Sequence, residues 1–248
     1  MPEDMAISLS PRGLHLEEGG SNLRFMHAIL QVFKLDQNSR VLEIGCGTGI
    51  LGKYIASCVG AEVVGTELSA STAQIAGYRL NCYHTLDGEL SKELGQFDLV
   101  YCKDVLPMID DKSKFATDIC GLLRTKGGFM TYMPNKDDFA EKPLYRHIPG
   151  SKSKSIDCYG AVQEFVSNLQ QAGFNSVETF RLMLGPMHMD GRYVEKHADG
   201  FFNNTNIVQM EKRRRQGLAV LNRLVEDMAA TGLRLDYDWE RTAVVARI

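Results

Sequence analysis

Val41-Leu42-Glu43-Ile44-Gly45-Cys46-Gly47-Thr48-Gly49 is the stretch on which the fold turns. A short apolar run carrying one acid ends in three alternating glycines. Ile50, Leu51, Tyr54, Ile55 and Cys58 then recur at helical spacing. This pattern predicts a buried strand that turns sharply into an amphipathic helix. Glycine suits the turn because it enters left-handed backbone freely and lets a ligand approach without meeting a Cβ. The helix start that follows offers unpaired N–H groups. In open α/β sheets, ligands gather in that crevice, outside the carboxyl ends of the strands.

Working outward, the alternation continues. Residues 62–66 read as a second strand, with Ser69 or Ser71 able to cap the next helix. Residues 80–84 form a third strand and 97–101 a fourth, followed by a helix carrying Phe115, Ile119, Leu122 and Leu123. Gly127-Gly128 stops that helix, and 129–133 make a fifth strand. Val162, Phe165, Val166 and Leu169 mark a further helix, 176–184 a sixth strand and 241–248 a seventh. Upstream, Leu23, Phe25, Met26, Ile29, Leu30 and Phe33 predict a helix from about Asn22 to Lys34. Strands alternating with helical stripes imply right-handed crossovers and a mainly parallel sheet.

One domain over 1–248 is expected, with 1–38 as an N-terminal helical cover. Two stretches, 134–157 and 185–236, break the rhythm and read as substrate or lid insertions. The second contains an amphipathic run with Leu218, Leu221, Leu224, Val225 and Met228 on one face. The 248 residues are 44% hydrophobic and 24% charged, enough for a sizeable core. A net charge of -3 argues against a protein built to grip nucleic acid. Lys212-Arg213-Arg214-Arg215 lacks the interleaved aromatics that base stacking uses and reads as a solvated helix start. The six cysteines form no CxxC pair, which suits reduced thiols and gives no zinc site. No secretory signal or membrane span is visible, so a cytoplasmic setting and no membrane partner are expected.

The loop also discriminates between ligands. A dinucleotide fingerprint starting at Gly45 needs glycine at position 50, where Ile50 stands, and no P-loop lysine follows. Glu43 is poorly suited to a phosphate cradle but suited to a cationic amine. Glu67, at the end of the second strand, is placed to hydrogen-bond a ribose diol. An amine, a sulfonium and a ribose fit this loop better than a pyrophosphate.

These residues resemble the first motif of the class I S-adenosylmethionine-dependent methyltransferases, of the small-molecule type, almost position by position. Thr66-Glu67-Leu68-Ser69 resembles the family's ribose-binding second motif, and Leu86-Asp87-Gly88 the acid that holds the adenine amino group. Phe97-Asp98-Leu99-Val100 resembles the fourth strand, and residues 122–128 the turn before the fifth. The resemblance implies S-adenosyl-L-methionine as cofactor, held by Glu43, Gly45, Cys46, Gly47, Gly49, Glu67, Leu68, Asp87, Gly88 and Lys103. It implies an α/β, Rossmann-like, seven-stranded mainly parallel sheet with helices on both faces, the last strand antiparallel, and a helical lid insertion. It also implies that residues before the first strand fold over the cofactor, with Gly19-Gly20 as a hinge. Asp98 reads as a support of the sheet edge, and Asp87-Gly88 also fits an ordinary turn.

Substrate candidates come from the insertions. Tyr145, Arg146, Arg192 and Tyr193 fit a small acceptor bearing a carboxylate, since arginine grips carboxylates at two points. His147 and His188 have the range of a general base near neutral pH. Tyr132 and Asn135 sit at the mouth of the fifth strand. Arginine and histidine also populate surface loops with no ligand at all. Nothing in the sequence requires a metal.

Three functions follow. The first is a methyltransferase acting on a small molecule. The second is an enzyme of the same fold that uses another arm of the cofactor, by aminocarboxypropyl transfer or by cyclisation releasing methylthioadenosine. The third is a non-catalytic binding subunit, against which the intact glycines, Glu43 and Glu67 speak.

Overall fold

The computed structural model describes residues 16–85, 94–135, 138, 160–191, 222–232 and 234–248. Its strands are β1 (Arg40–Ile44), β2 (Glu62–Glu67), β3 (Asn81–His84), β4 (Phe97–Cys102), β5 (Leu123–Met133), β6 (Ser176–Met189) and β7 (Leu235–Arg247). They form one sheet in the order β3-β2-β1-β4-β5-β7-β6. β3, β2, β1, β4 and β5 pair in parallel, and β7 enters antiparallel between β5 and β6. This is the expected mainly parallel sheet with an antiparallel last strand.

The apolar strands are apolar because both of their faces are covered. On one face α1 (Leu16–Val32) and α2 (Ile50–Val59) bury Phe25, Met26, Ile29, Leu51 and Ile55 against Val41, Leu99, Tyr101 and Tyr132. On the other, α4 (Lys112–Leu122) and α5 (Val162–Gln171) bury Phe115, Ile119, Phe165 and Leu169 against Leu42, Val100 and Phe129. α3 (Ala70–Ala76) starts at Ser69, whose hydroxyl accepts from the Thr72 N–H as the sequence anticipates. α6 spans residues 222–231 and buries Leu224 and Met228, two members of the expected stripe.

The chain leaves β1 toward β2 on one side, and later reaches β4 on the other. The strand order therefore reverses between β1 and β4, and the crevice at their carboxyl ends is where such a sheet binds ligands. At the opposite end, Asp98 accepts from the Arg40 N–H and from Arg124, both at 2.7 Å, and supports the sheet edge as expected.

Four features differ from the sequence expectation. β5 begins at Leu123 and runs through Gly127-Gly128, the pair expected to stop the preceding helix, which ends already at Leu122. α1 begins at Leu16 and runs through Gly19 and Gly20, so these glycines are helical and form no hinge. β6 continues to Met189, and β7 begins at Leu235 instead of Arg241. The insertion expected over 185–236 thus spans 190–234, and its two ends are strands. Gly185-Pro186 reads as a strand end, yet the register shifts between Met183 and Gly185 and pairing resumes at Gly185↔Trp239. β6 lies at the sheet edge, where proline's missing N–H is tolerated.

Candidate functional site

The glycine loop divides its three glycines between two tasks. All have positive φ, at 67° for Gly45, 54° for Gly47 and 75° for Gly49. A Cβ on Gly45 would lie 2.5 Å from Val105 Cγ2, and one on Gly49 2.7 Å from Leu80 Cδ2. At these two positions packing as well as the positive φ opposes a side chain. Nothing lies within 4 Å of a Cβ on Gly47. Gly47 presents bare left-handed backbone to open space, the surface a ligand can approach.

Glu67 stands across from it, at the end of β2. Its Oε2 accepts from the Gly47 N–H at 2.9 Å and its Oε1 from the Ser69 N–H at 3.0 Å. The carboxylate therefore ties the glycine loop to the start of α3. A carboxylate has about four acceptor positions, so lone pairs remain for a diol placed beside it. Leu68, next in the chain, is half-exposed, and its carbonyl lies 2.9 Å from His84 Nε2. An exposed leucine beside the ribose-type acid offers an apolar platform for a planar base.

Glu43 is placed beneath the loop. It is buried, and its Oε2 accepts from the Gly52 N–H at 3.0 Å. Gly49, the N-cap of α2, has no side chain to offer, so Glu43 supplies the capping oxygen from the preceding strand. A Cβ on Gly52 would lie 2.7 Å from that oxygen. Burial pushes the Glu43 carboxyl up to about 8, only partly countered by the Tyr101 hydroxyl, the Gly52 N–H and Lys103. Cys46 turns inward: its backbone N–H donates to Thr66 and its thiol lies 3.4 Å from that of Cys82. Burial raises both thiols, so of Cys46 the backbone alone belongs to the crevice.

At the end of β4, Lys103 and Asp104 turn out of the strand. Asp104 adopts a φ of 59°, which a non-glycine residue seldom takes outside turns and functional sites. Its Oδ2 accepts from Lys103 Nζ at 2.7 Å and from the Tyr132 hydroxyl at 2.9 Å. Desolvation pushes this carboxyl up, but Lys103, Tyr132 and Arg241 together outweigh it and hold it below its ordinary value. Tyr132 is buried, with its ring edge-on to Phe25 at 5.1 Å. The backbone N–H of Asn135 donates to Asp138, whose other oxygen accepts from the half-exposed Arg181, so a buried carboxylate holds the chain just past β5.

The structure thus brings Glu43, Gly45, Cys46, Gly47, Gly49, Glu67 and Leu68 to one crevice, and places Lys103, Tyr132 and Asn135 along its continuation toward β5. Asp87, Gly88, Tyr145, Arg146, His147, Arg192 and Tyr193 lie outside the described residues, as does the side chain of His188. Asp104 is the residue that sequence reasoning missed. Its signal was a charged pair, Lys103-Asp104, directly after the apolar strand at a carboxyl end.

Comparison with known proteins agrees with this geometry. The family described as "Methyltransferase domain" matches residues 20–179. A ubiquinone biosynthesis O-methyltransferase of Aromatoleum aromaticum is 30% identical over 122 residues, 43% of this chain and 52% of that protein. The chain therefore spans about half the length of this relative. Among solved structures, an Anabaena variabilis protein described as a methyltransferase of an antibiotic biosynthesis pathway superposes with a TM-score of 0.66, at 15% identity, over 91% of this chain and 97% of that one. Phosphoethanolamine N-methyltransferase 2 of Haemonchus contortus, solved with S-adenosyl-L-methionine, gives 0.54 at 16% identity over 90% and 52%. At these identities the superpositions show a shared fold.

Proposed function

The chain belongs to the methyltransferase-domain family, and from that premise we propose that it transfers a methyl group from S-adenosyl-L-methionine to a small-molecule acceptor. The observation that carries this reading is the pairing of bare backbone at Gly47 with Glu67, which accepts from Gly47 and keeps acceptor positions for a diol. A loop built for a dinucleotide would need no acid beneath it, whereas Glu43 lies there with its carboxyl poised to ionise near a cation. The residues present fit the cofactor. When bound, the cofactor supplies a methyl group on a sulfonium.

The chain's own contribution is alignment and exclusion of water. Gly47 and the start of α2 receive the cofactor's amino acid portion, Glu67 its ribose and Leu68 its base. Glu43 holds the α2 terminus in register through Gly52. Tyr132 and Asp104 border the place where the acceptor meets the methyl group. The Asp104 carboxylate, held ionised by Lys103, fixes the direction of the Tyr132 hydroxyl and leaves its second oxygen to take a hydrogen bond from the acceptor. Similarity to O-methyltransferases makes oxygen the acceptor atom to test first.

An acceptor that bears a carboxylate remains our reading of the substrate. Arg146 and Arg192 lie outside the described residues; Arg241, near enough to Asp104 to lower its carboxyl, supports this reading. Among the described residues, no helix is long and apolar enough to cross a membrane. We keep the setting cytoplasmic and the partners small molecules.

The test is product identity. Purified protein incubated with S-adenosyl-L-methionine and a panel of small hydroxyl- and amine-bearing acids should yield S-adenosylhomocysteine and an acceptor heavier by one methylene. Methylthioadenosine as the product would overturn methyl transfer in favour of chemistry on another arm. In parallel, Glu67→Ala should weaken cofactor binding by about tenfold or more in calorimetry, through loss of two charge-assisted hydrogen bonds. Equal affinity in a folded variant would remove Glu67 from the site.

A further inference from the structure

Among the described residues of β7, two buried donors have no acceptor. The indole Nε1 of Trp239 and the Nε of Arg241 are each buried and hydrogen-bonded to nothing. They stand two residues apart, hence on one face of the strand. That face is the one covered by α1, since Ala243 belongs to the apolar cluster that holds Phe25 and Tyr132, and Trp239 packs against that cluster. The Arg241 guanidinium lies 5.2 Å from the centre of the Trp239 ring and is only 4% exposed. Its Nη1 donates to the Glu240 carbonyl at 2.7 Å, which leaves the Nε side of the planar fork unused.

Buried donors without partners are rare because water has been surrendered for nothing. Two of them, side by side on one strand, call for an acceptor that arrives from outside. The local charge agrees. Arg241 and Lys103 are cations and Asp104 is the anion between them, so these three residues together carry one positive charge in excess. Glu240 is engaged elsewhere, by Arg181 at 2.7 Å.

We propose that Trp239 and Arg241 form the seat of a carboxylate, with the indole N–H and the Nε–H each donating to the incoming group. Two sources can supply one: the acceptor molecule, or the amino acid tail of the cofactor. Position favours the acceptor. β7 is three strands from β1, roughly 14 Å at the spacing of neighbouring strands, whereas the cofactor's tail belongs at the glycine loop. Tyr132 and Asp104 lie between, so a molecule anchored by its acid at β7 would present its other end to them. This assignment rests on the proposed methyl transfer for the acceptor's role, but the seat itself does not.

Trp239 is the chain's only tryptophan, so its emission reports on this place alone. The full chain is titrated with benzoate and, separately, with the neutral isostere benzamide, with and without saturating S-adenosylhomocysteine. Benzoate should change the emission saturably, and benzamide should need a concentration at least about tenfold higher. Arg241→Gln should shift the benzoate midpoint by about tenfold or more. Because that variant alters a buried residue, Trp239→Phe provides a second arm, followed by calorimetry. It keeps an aromatic ring but removes the donor together with the five-membered ring. Benzoate affinity should fall in the folded variant, and the cost of the lost indole volume is read separately from the melting temperature.

Equal responses to benzoate and benzamide, no saturable benzoate response, or unchanged affinity in folded Trp239→Phe would overturn the seat. Benzoate binding alongside S-adenosylhomocysteine assigns the seat to the acceptor. Competition between the two, with weaker S-adenosylhomocysteine binding in Arg241→Gln, assigns it to the cofactor's tail. Failure of S-adenosyl-L-methionine to bind, with benzoate binding intact, would sink the methyltransferase reading and leave the seat standing.

Discussion

Gly45 and Gly47 both have positive φ but opposite surroundings, and substitution should separate them. Gly47→Ala places its methyl in open space, so the cost to stability is that of left-handed backbone, about 1–2 kcal/mol. Cofactor affinity should fall by about tenfold or more, because the new methyl occupies the ligand's approach. Gly45→Ala meets Val105 instead and should lose more stability than Gly47→Ala in denaturant titrations. Equal stability losses in the two variants would contradict this division. Glu43 gives a second expectation. Its folded carboxyl titrates near 8, above its ordinary value, so the folded protein keeps a proton that the unfolded chain has released. Stability should therefore fall as pH rises from about 5 to about 8, and level off beyond, with each unit of displacement worth about 1.4 kcal/mol. Glu43→Gln keeps an acceptor for Gly52 and should flatten that slope. Identical slopes would assign the pH dependence to other groups. The residues of the loop were legible in the sequence because glycine and acid spacing encode turn geometry directly. Whether an acid points at a ligand or caps a helix from below is set by burial, which spacing does not carry.

At the scale of elements, α1 joins the N-terminal stretch to the acceptor side of the crevice. Phe25 is fully buried, with edge-on contacts to Tyr101 at 6.2 Å and Tyr132 at 5.1 Å. Phe25→Ala should cost about 3–5 kcal/mol in urea unfolding. It should also free the Tyr132 ring, lowering turnover more than cofactor affinity. A variant with native turnover would remove the Phe25 contact from the positioning of Tyr132. The helical stripes and parallel strands were readable because both faces of the sheet are covered, which writes period into sequence. The arm formed by the outer halves of β6 and β7 was not. Gly185 and Pro186 carry the signature of a strand end, and only pairing with β7 converts that signature into a bulge on an edge strand. Trp239 and Arg241 were obscured for the same reason, since a strand starting at Arg241 leaves the tryptophan outside the sheet.

The whole molecule should respond to its cofactor as one cooperative unit. A ligand at a hundred times its dissociation constant adds about 2.7 kcal/mol. For a chain of this size that corresponds to a rise of about 5–10 °C in melting temperature. S-adenosylhomocysteine should produce it, and adenosine, which lacks the amino acid portion, should produce less. A larger shift with adenosine would place the main anchor outside the glycine loop. The strand order carries one more consequence. β7 is the last strand in the chain but not the last in space: β6 reaches the rest of the sheet only through it. On the ribosome, five parallel strands can zip together while β6 waits without a neighbour, its backbone groups open to any passing chain. The vulnerable interval in this protein's life is thus the time between synthesis of β6 and emergence of β7, and a chaperone that shields a single exposed strand would act there.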